Sequence, residues 1–151
     1  MLIHNQLRAV KGDDSLQFVH WIDHTSYLCD TYNTGRPGFE YMGVEIVAVS
    51  DPNPEPRDWI RPVLAPSTAI LTDTEELLGR SDVDVAVIAS PNFTHREVLE
   101  KVLAAGKHVM VEKPMAITEQ QCVEMIAESE KQDRVLMVAY CMRFHPLVVK
   151  M

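Results

Sequence analysis

The stretch VDVAVIASPNFTHREVLEKVLAAGKHVMVE (residues 83–112) holds two apolar segments with one amphipathic segment between them. Residues 83–90 and 107–112 are nearly continuous apolar runs, which is typical of strands buried on both faces of a parallel sheet. Between them, apolar residues recur at helical spacing up to a stop at Gly106. These residues are Val98, Leu99, Val102 and Leu103. The stretch therefore predicts a strand–helix–strand unit with residues 94–105 helical.

The same alternation continues on both sides of this unit. Residues 43–51 predict a strand that ends at an acid, and residues 134–140 predict the last strand. Capping-box patterns, with Glu or Gln three residues after a threonine, predict helix starts at Thr72, Thr94 and Thr118. Together these segments predict a single-domain α/β fold, a doubly wound parallel sheet of the Rossmann-like kind.

Two finer expectations concern the segments between strands. Residues 52–66 are rich in proline, and we expect them to form a loop without regular structure. In the helix predicted after Thr118, we expect an inward face that packs on the sheet. That face is Cys122, Val123, Ile126 and Ala127.

Composition excludes several classes of function. The net charge of −8 argues against nucleic acid as a partner, because phosphate binding favours a basic face. No apolar run approaches the ~20 residues that span a bilayer, and the N-terminus lacks the apolar core of a signal peptide. The cysteines are odd in number and widely spaced, which indicates reduced thiols and a cytoplasmic protein.

Polar side chains follow each predicted strand, at the edge where open parallel sheets bind their ligands. Asp51 ends the first of these strands, and it suits either a ribose diol or the capping of a turn beside Pro52. Lys113 is aimed by the proline that follows it, and it suits either proton transfer and hydroxyl binding or a surface ion pair. His20 and His24 have the spacing of metal ligands on a helix, but their segment reads as a strand without a third ligand. We therefore predict no metal site.

Residues 43–146 resemble the nucleotide-binding domain of the Gfo/Idh/MocA oxidoreductases. The matching stretches are VEIVAVSDPNPE, DVDVAVIASPNFTHREVLEKVLAAGKHVMVEKPMA and MRFHP. The triplet Glu112-Lys113-Pro114 in this setting is the family signature.

The resemblance implies an NAD cofactor, with NADP less favoured, and a role for each residue at the edge. Asp51 would bind the adenosine ribose, and Arg143 would lie near the nicotinamide end. The pyrophosphate and nicotinamide-ribose side would be lined by Ser90, Pro91, Asn92 and His95. Glu112 and Lys113 would lie by the nicotinamide, with Lys113 as the catalytic residue. The family chemistry is hydride transfer with a sugar or cyclitol hydroxyl.

Two departures leave the function open. The family begins with a strand and a Gly-x-Gly-x-x-Gly turn, whereas residues 16–22 take the place of that strand here without the glycines. We therefore expect residues 1–42 to be an atypical N-terminal segment and residues 147–151 to begin a crossover to a substrate domain that this chain lacks. The alternatives are an oxidoreductase domain, a non-catalytic pseudoenzyme or protein-interaction module, and a fragment of an altered gene.

Overall fold

A computed structural model of the chain describes residues 16–21, 44–140 and Arg143. Its strands are β1 Leu16–Trp21, β2 Val44–Ser50, β3 Ala69–Leu71, β4 Val85–Ile88, β5 His108–Val111 and β6 Leu136–Val138. Its α-helices are α1 Pro54–Ile60, α2 Thr74–Leu78, α3 His95–Ala104 and α4 Glu119–Lys131. None of the described helices is long and apolar enough to cross a membrane.

All six strands form one parallel sheet in the order β3-β2-β1-β4-β5-β6. The strand Leu16–Trp21 lies at the centre and pairs with both β2 and β4. This order builds the sheet outward in two directions from β1, which is the doubly wound arrangement that the sequence predicted.

The core lies where β4 and β5 meet α3. Every residue of β4 is buried, as the nearly continuous apolar run predicted. On α3 the side chains of Leu99, Val102 and Leu103 are almost completely buried against these strands. Gly106 follows the helix with a positive φ of 73°, a conformation that glycine adopts without steric strain. The strand–helix–strand prediction over residues 83–112 is therefore confirmed.

The expectation of an irregular loop over residues 52–66 was wrong. Residues Pro54–Ile60 form α1, and a 3₁₀ turn over Arg61–Val63 follows it. Pro54 stands at the first helical position, where the backbone N–H would have no helical partner, so proline at this position is compatible with a helix. The strand β3, which the sequence analysis missed, then pairs with β2.

One of the three capping predictions was correct in its residue. The Thr118 side chain accepts a hydrogen bond from the Gln121 backbone N–H at 3.2 Å. Helix α2 is capped by Asp73 and not by Thr72, because the Asp73 carboxylate accepts from the Glu75 N–H at 2.9 Å. Thr94 precedes α3 but makes no capping bond, since its hydroxyl contacts the preceding loop.

The inward face of α4 was also predicted wrongly in part. The buried side chains of this helix are Met125 and Ser129, with Cys122 partly buried beside them. Val123 and Ile126 are 55% and 46% exposed, and Ala127 is exposed as well. The helix carries apolar residues on two faces, so the apolar pattern alone left its rotation undetermined.

Candidate functional site

The carboxyl ends of the parallel strands place several polar residues along one edge of the sheet. Asp51 follows β2, Ser90 follows β4 by two residues, and Glu112 follows β5 directly. The central strand β1 lies between β2 and β4. From β1 the strand order runs to β2 and β3 on one side and to β4, β5 and β6 on the other. In doubly wound sheets this switch point is where a crevice for a ligand opens.

Asp51 belongs to a tight turn between β2 and α1, which we call the β2 turn (residues 51–57). The residue is only 2% exposed, and its Oδ1 accepts a hydrogen bond from the Asn53 N–H at 2.8 Å. The Arg57 guanidinium donates to the Asp51 carbonyl oxygen at 2.6 Å. Both earlier interpretations of Asp51 therefore remain open, because the bond to Asn53 engages one of the two carboxylate oxygens.

The loop after β4, residues 90–94, is held by a chain of hydroxyl hydrogen bonds. The Thr94 hydroxyl donates to the Pro91 carbonyl oxygen at 2.7 Å and contacts the Ser90 hydroxyl at 2.7 Å. Asn92 and Phe93 are exposed on the 3₁₀ turn at the tip of this β4 loop. The loop thus presents the Asn92 amide and backbone groups at the edge of the sheet.

The loop after β5, residues 112–116, carries the Glu-Lys-Pro triplet. The Glu112 N–H donates to the Ile88 carbonyl at 2.8 Å and so extends the pairing of β5 with β4 by one residue. The Glu112 carboxylate accepts from the Lys113 backbone N–H at 3.0 Å, and the Lys113 side chain is exposed. The Lys113–Pro114 peptide bond is cis. Within the described residues, no ion pair joins Lys113 to Glu112.

The buried side chain of His95 contacts both the β4 loop and the β5 loop. It is the first residue of α3 and is only 1% exposed. Its Nε2 lies 2.9 Å from the Ser90 carbonyl oxygen, and its Nδ1 lies 3.0 Å from the Pro114 carbonyl oxygen and 3.3 Å from that of Met115. We call this set of contacts the His95 bridge.

Arg143 lies after β6, exposed, with its backbone N–H bonded to the Tyr140 carbonyl at 3.0 Å. Sequence reasoning missed two residues that shape the edge, namely Thr94, which it assigned to a helix cap, and Arg57, which it placed in an irregular loop. The clustering of hydroxyl-bearing residues around Pro91 could have indicated the loop role of Thr94.

Groups of His, Cys, Asp and Glu that could hold a metal ion do not occur among the described residues. His20 lies in β1, a strand, where the helical spacing to His24 does not apply. His24 itself lies outside the described residues.

The strand order and the polar edge define a Rossmann-fold nucleotide-binding domain. Residues 23–140 match the profile described as "Oxidoreductase family, NAD-binding Rossmann fold", that of the Gfo/Idh/MocA proteins. The chain belongs to the Gfo/Idh/MocA oxidoreductase family and is an NAD(P)-binding oxidoreductase domain.

Curated relatives match over a similar length of the chain. The chain is 34% identical over 110 residues to a 2,7-anhydro-N-acetylneuraminate hydratase of Mediterraneibacter gnavus, covering 73% of this chain and 28% of that protein. It is also 34% identical over 110 residues to inositol 2-dehydrogenase 1 of Saccharopolyspora erythraea, covering 72% of this chain and 33% of that protein. The matched region thus amounts to about a third of the length of these relatives.

Solved structures share the fold. An NAD binding oxidoreductase from Klebsiella pneumoniae superposes with a TM-score of 0.73 at 27% identity, covering 90% of this chain and 37% of that one. KijD10, a 3-ketoreductase from Actinomadura kijaniata in complex with TDP-benzene and NADP, superposes with a TM-score of 0.74 at 19% identity. That match covers 90% of this chain and 42% of the ketoreductase, and at this identity it shows the fold alone.

Proposed function

We propose that this domain binds NAD at the carboxyl edge of its sheet and serves hydride transfer to or from a sugar or cyclitol hydroxyl. The observation that carries the proposal is the placement of Asp51, Ser90 and the Glu112-Lys113 pair at one edge, on both sides of the central strand. This is the arrangement that a dinucleotide requires, because its two halves lie on opposite sides of the switch point.

The adenosine half lies over the β2 turn in this proposal. A carboxylate at this position accepts hydrogen bonds from a ribose diol, and its charge repels a 2′-phosphate. Asp51 therefore favours NAD over NADP. Arg57 lies in the same turn, bonded to the Asp51 carbonyl, and its positive charge opposes part of that repulsion. We expect a preference of about tenfold, equal to about 1.4 kcal/mol, and not an absolute one.

The nicotinamide half lies over the β4 and β5 loops. Ser90, Pro91 and Asn92 line the pyrophosphate and nicotinamide-ribose side. His95 was expected in the same lining, but it is 1% exposed and contacts backbone carbonyls of both loops, so we propose that it supports this lining. Glu112 lies by the nicotinamide ring, and Arg143 lies near the nicotinamide end. Lys113 is the catalytic residue of the proposal, and its side chain is exposed at the edge. Its neutral amine accepts the hydroxyl proton when the carbinol gives a hydride to the cofactor, and its ammonium returns a proton to the oxygen in the reverse reduction.

Calorimetric titration of the purified chain with NAD and with NADP tests the cofactor part. The wild type is expected to bind NAD more tightly, and Asp51→Ala is expected to bring the two affinities together. Arg57→Ala is the matched variant from the same turn, and it should widen the preference for NAD. Equal affinities in the wild type, unchanged by either substitution, would refute the assignment of the β2 turn to the ribose.

NADH production from a panel of polyols and sugars tests the catalytic part. The carbinol carbon must be held about 3–3.5 Å from the nicotinamide, and the described residues form one side of such a site. We expect the 151-residue chain to bind the cofactor without appreciable turnover. Robust turnover that Lys113→Ala abolishes would show that these residues suffice for catalysis and would establish the role of Lys113.

A non-catalytic binding module is the second candidate function. It is favoured by the missing Gly-x-Gly-x-x-Gly turn, whose glycines let a pyrophosphate approach the backbone closely. Calorimetry that detects neither NAD nor NADP would favour this alternative. We further infer a cytoplasmic location from the odd number of cysteines, of which Cys122 is a free thiol.

A further inference from the structure

His95 is a buried, titratable side chain to which the proposed chemistry gives no direct task. The imidazole is only 1% exposed. Both ring nitrogens nevertheless lie within hydrogen-bonding distance of backbone carbonyls, Nε2 facing Ser90 and Nδ1 facing Pro114. Those carbonyls belong to the two loops that the nicotinamide half would touch.

We propose that His95 is a positioning residue that fixes the β4 loop relative to the β5 loop and so prepares the edge for the nicotinamide half of the cofactor. This inference rests on the proposed function and assigns the residue an indirect role within the same site. Within the described part of the chain, the bonds of the His95 bridge are the hydrogen bonds that join residues 90–94 and 112–116 through a side chain.

The location of the ring explains why a histidine suits this position. It stands at the start of α3, whose later residues Leu99 and Leu103 are fixed in the core, so the ring is attached to a rigid element. A neutral imidazole carries one N–H and a doubly protonated one carries two. In either state the ring can donate to a backbone carbonyl of at least one of the two loops.

The consequence for binding follows from the cost of ordering a loop. Fixing one backbone residue costs about 1–2 kcal/mol, so a loop that is ordered before the ligand arrives spares the binding step that loss. Without the His95 bridge, we expect NAD to bind about tenfold more weakly. AMP, which lacks the nicotinamide half and engages only the β2 turn, should bind with its affinity changed by less than about twofold.

Three substitutions separate the two arms of the bridge. His95→Gln places its amide nitrogen near the position of Nε2 and retains a donor toward Ser90, whereas His95→Asn places it near Nδ1 and retains a donor toward Pro114. His95→Phe keeps a flat aromatic ring and removes both ring nitrogens. Arg96→Ala changes the adjacent residue, which is exposed and paired with Glu100 and Glu124, and serves as the control because it contacts neither loop through these pairs.

The experiment is calorimetry of the full chain and these variants with NAD and with AMP, together with backbone amide NMR of Asn92 and Lys113. We expect His95→Phe to lose NAD affinity but keep AMP affinity, and His95→Asn and His95→Gln each to recover part of the loss. The amide resonances of both loops should shift in His95→Phe and remain unchanged in Arg96→Ala.

Two results would overturn the inference. One is NAD affinity unchanged in His95→Phe; the other is equal loss for NAD and AMP in all three variants, which would make His95 a general stabiliser of the fold. If the wild type binds no dinucleotide, the proposed function fails. The NMR comparison then decides the positioning role separately, as would the Asn and Gln variants if His95→Phe did not fold.

Discussion

The two sides of the candidate cofactor edge are held in place by different kinds of contact. In the β2 turn, the bonds of Asp51 with Asn53 and Arg57 span two and six positions of the chain. The His95 bridge joins His95 to Pro114, which is 19 positions away. The side-chain bonds of the β2 turn are therefore local, and one backbone bond from the Asp51 N–H to the Leu71 carbonyl at 3.2 Å joins the turn to β3. The arrangement of the β4 and β5 loops instead depends on a side chain of α3.

This difference predicts which substitutions disturb each side of the edge. Loosening the core beneath α3 should disturb the nicotinamide side and leave the adenosine side in order. A change within residues 51–57 should have the reverse effect. Four predictions follow this contrast from the largest expected effect to the smallest.

Leu99→Ala should have the largest effect, because Leu99 is completely buried one turn after His95. Truncating such a side chain leaves a cavity and costs about 2–5 kcal/mol of unfolding free energy. Urea denaturation measures the loss, and NAD affinity should fall more than AMP affinity. The exposed neighbour Glu100→Ala should stay within about 0.5 kcal/mol of wild type. A parallel loss of both ligands in Leu99→Ala would contradict the contrast between the two sides.

Thr118→Ala should lower the unfolding free energy by about 1 kcal/mol, since its side chain caps α4. Its effect on NAD affinity should be small, because Thr118 makes none of the contacts of the His95 bridge. Thr94→Val should lower NAD affinity more than it lowers the unfolding free energy. It removes the hydroxyl bonds to Ser90 and Pro91 in the β4 loop without removing a helix cap. Urea denaturation and NAD calorimetry of both variants test this prediction. If the two variants lost the same unfolding free energy and the same NAD affinity, the distinction between the two threonines would be wrong.

Arg57→Met should cost about 0.5–1.5 kcal/mol of unfolding free energy through the lost hydrogen bond to the Asp51 carbonyl. The turn keeps its bond between Asp51 and the Asn53 N–H, so we expect the NMR resonances of the β4 and β5 loops to stay in place. Urea denaturation and amide spectra provide the measurement. Shifts at Ser90 or Lys113 would show that the two sides of the edge are coupled after all.

A pH effect is expected at the opposite edge of the sheet. The His108 Nδ1 accepts a hydrogen bond from the Val135 backbone N–H at 3.1 Å, which ties β5 to the start of β6. Burial lowers the pKa of His108, and the nearby Arg134 lowers it further, while Asp84 and Asp133 act in the opposite direction. Because the folded-state pKa lies below the unfolded value, the unfolded chain takes up the proton first as the pH falls.

The contribution of His108 to stability is thus fully present above the unfolded pKa of about 6.5 and is lost as the pH falls through the folded pKa. Urea midpoints measured from about pH 7.5 down to about pH 5.5 should decrease. His108→Asn, which keeps an acceptor oxygen without titrating in this range, should show a flatter profile. A wild-type profile no steeper than that of the variant would count against this assignment.

Much of the fold could be predicted because the central stretch alternates nearly continuous apolar runs with an amphipathic segment. Val85–Ile88 and His108–Val111 were evident from their composition alone. The errors arose where two physical preferences competed. Proline at the first helical position is compatible with a helix, so the pattern around Pro54 allowed either a helix or a loop, and the apolar residues of α4 could have faced the sheet on either of two sides.

The sequence predicted where the candidate site lies, but it did not predict the contacts that its residues make. Strand ends mark the edge of a parallel sheet, so Asp51, Ser90 and Lys113 could be grouped from the sequence. No local pattern distinguishes a buried His95 that bonds two carbonyls from an exposed one that meets a ligand. That distinction depends on the distance between His95 and Pro114 in space, which only the packed structure determines.

The place of β1 in the sheet has a consequence for synthesis on the ribosome. The central strand is the first of the six to leave the exit tunnel, but its second neighbour β4 is made only after β2, α1, β3 and α2. During this interval the nascent chain carries a strand with an unpaired edge, which is a template for pairing with other chains. Slow translation between β2 and β4 should therefore increase misassembly, and a chaperone that shields extended segments should reduce it.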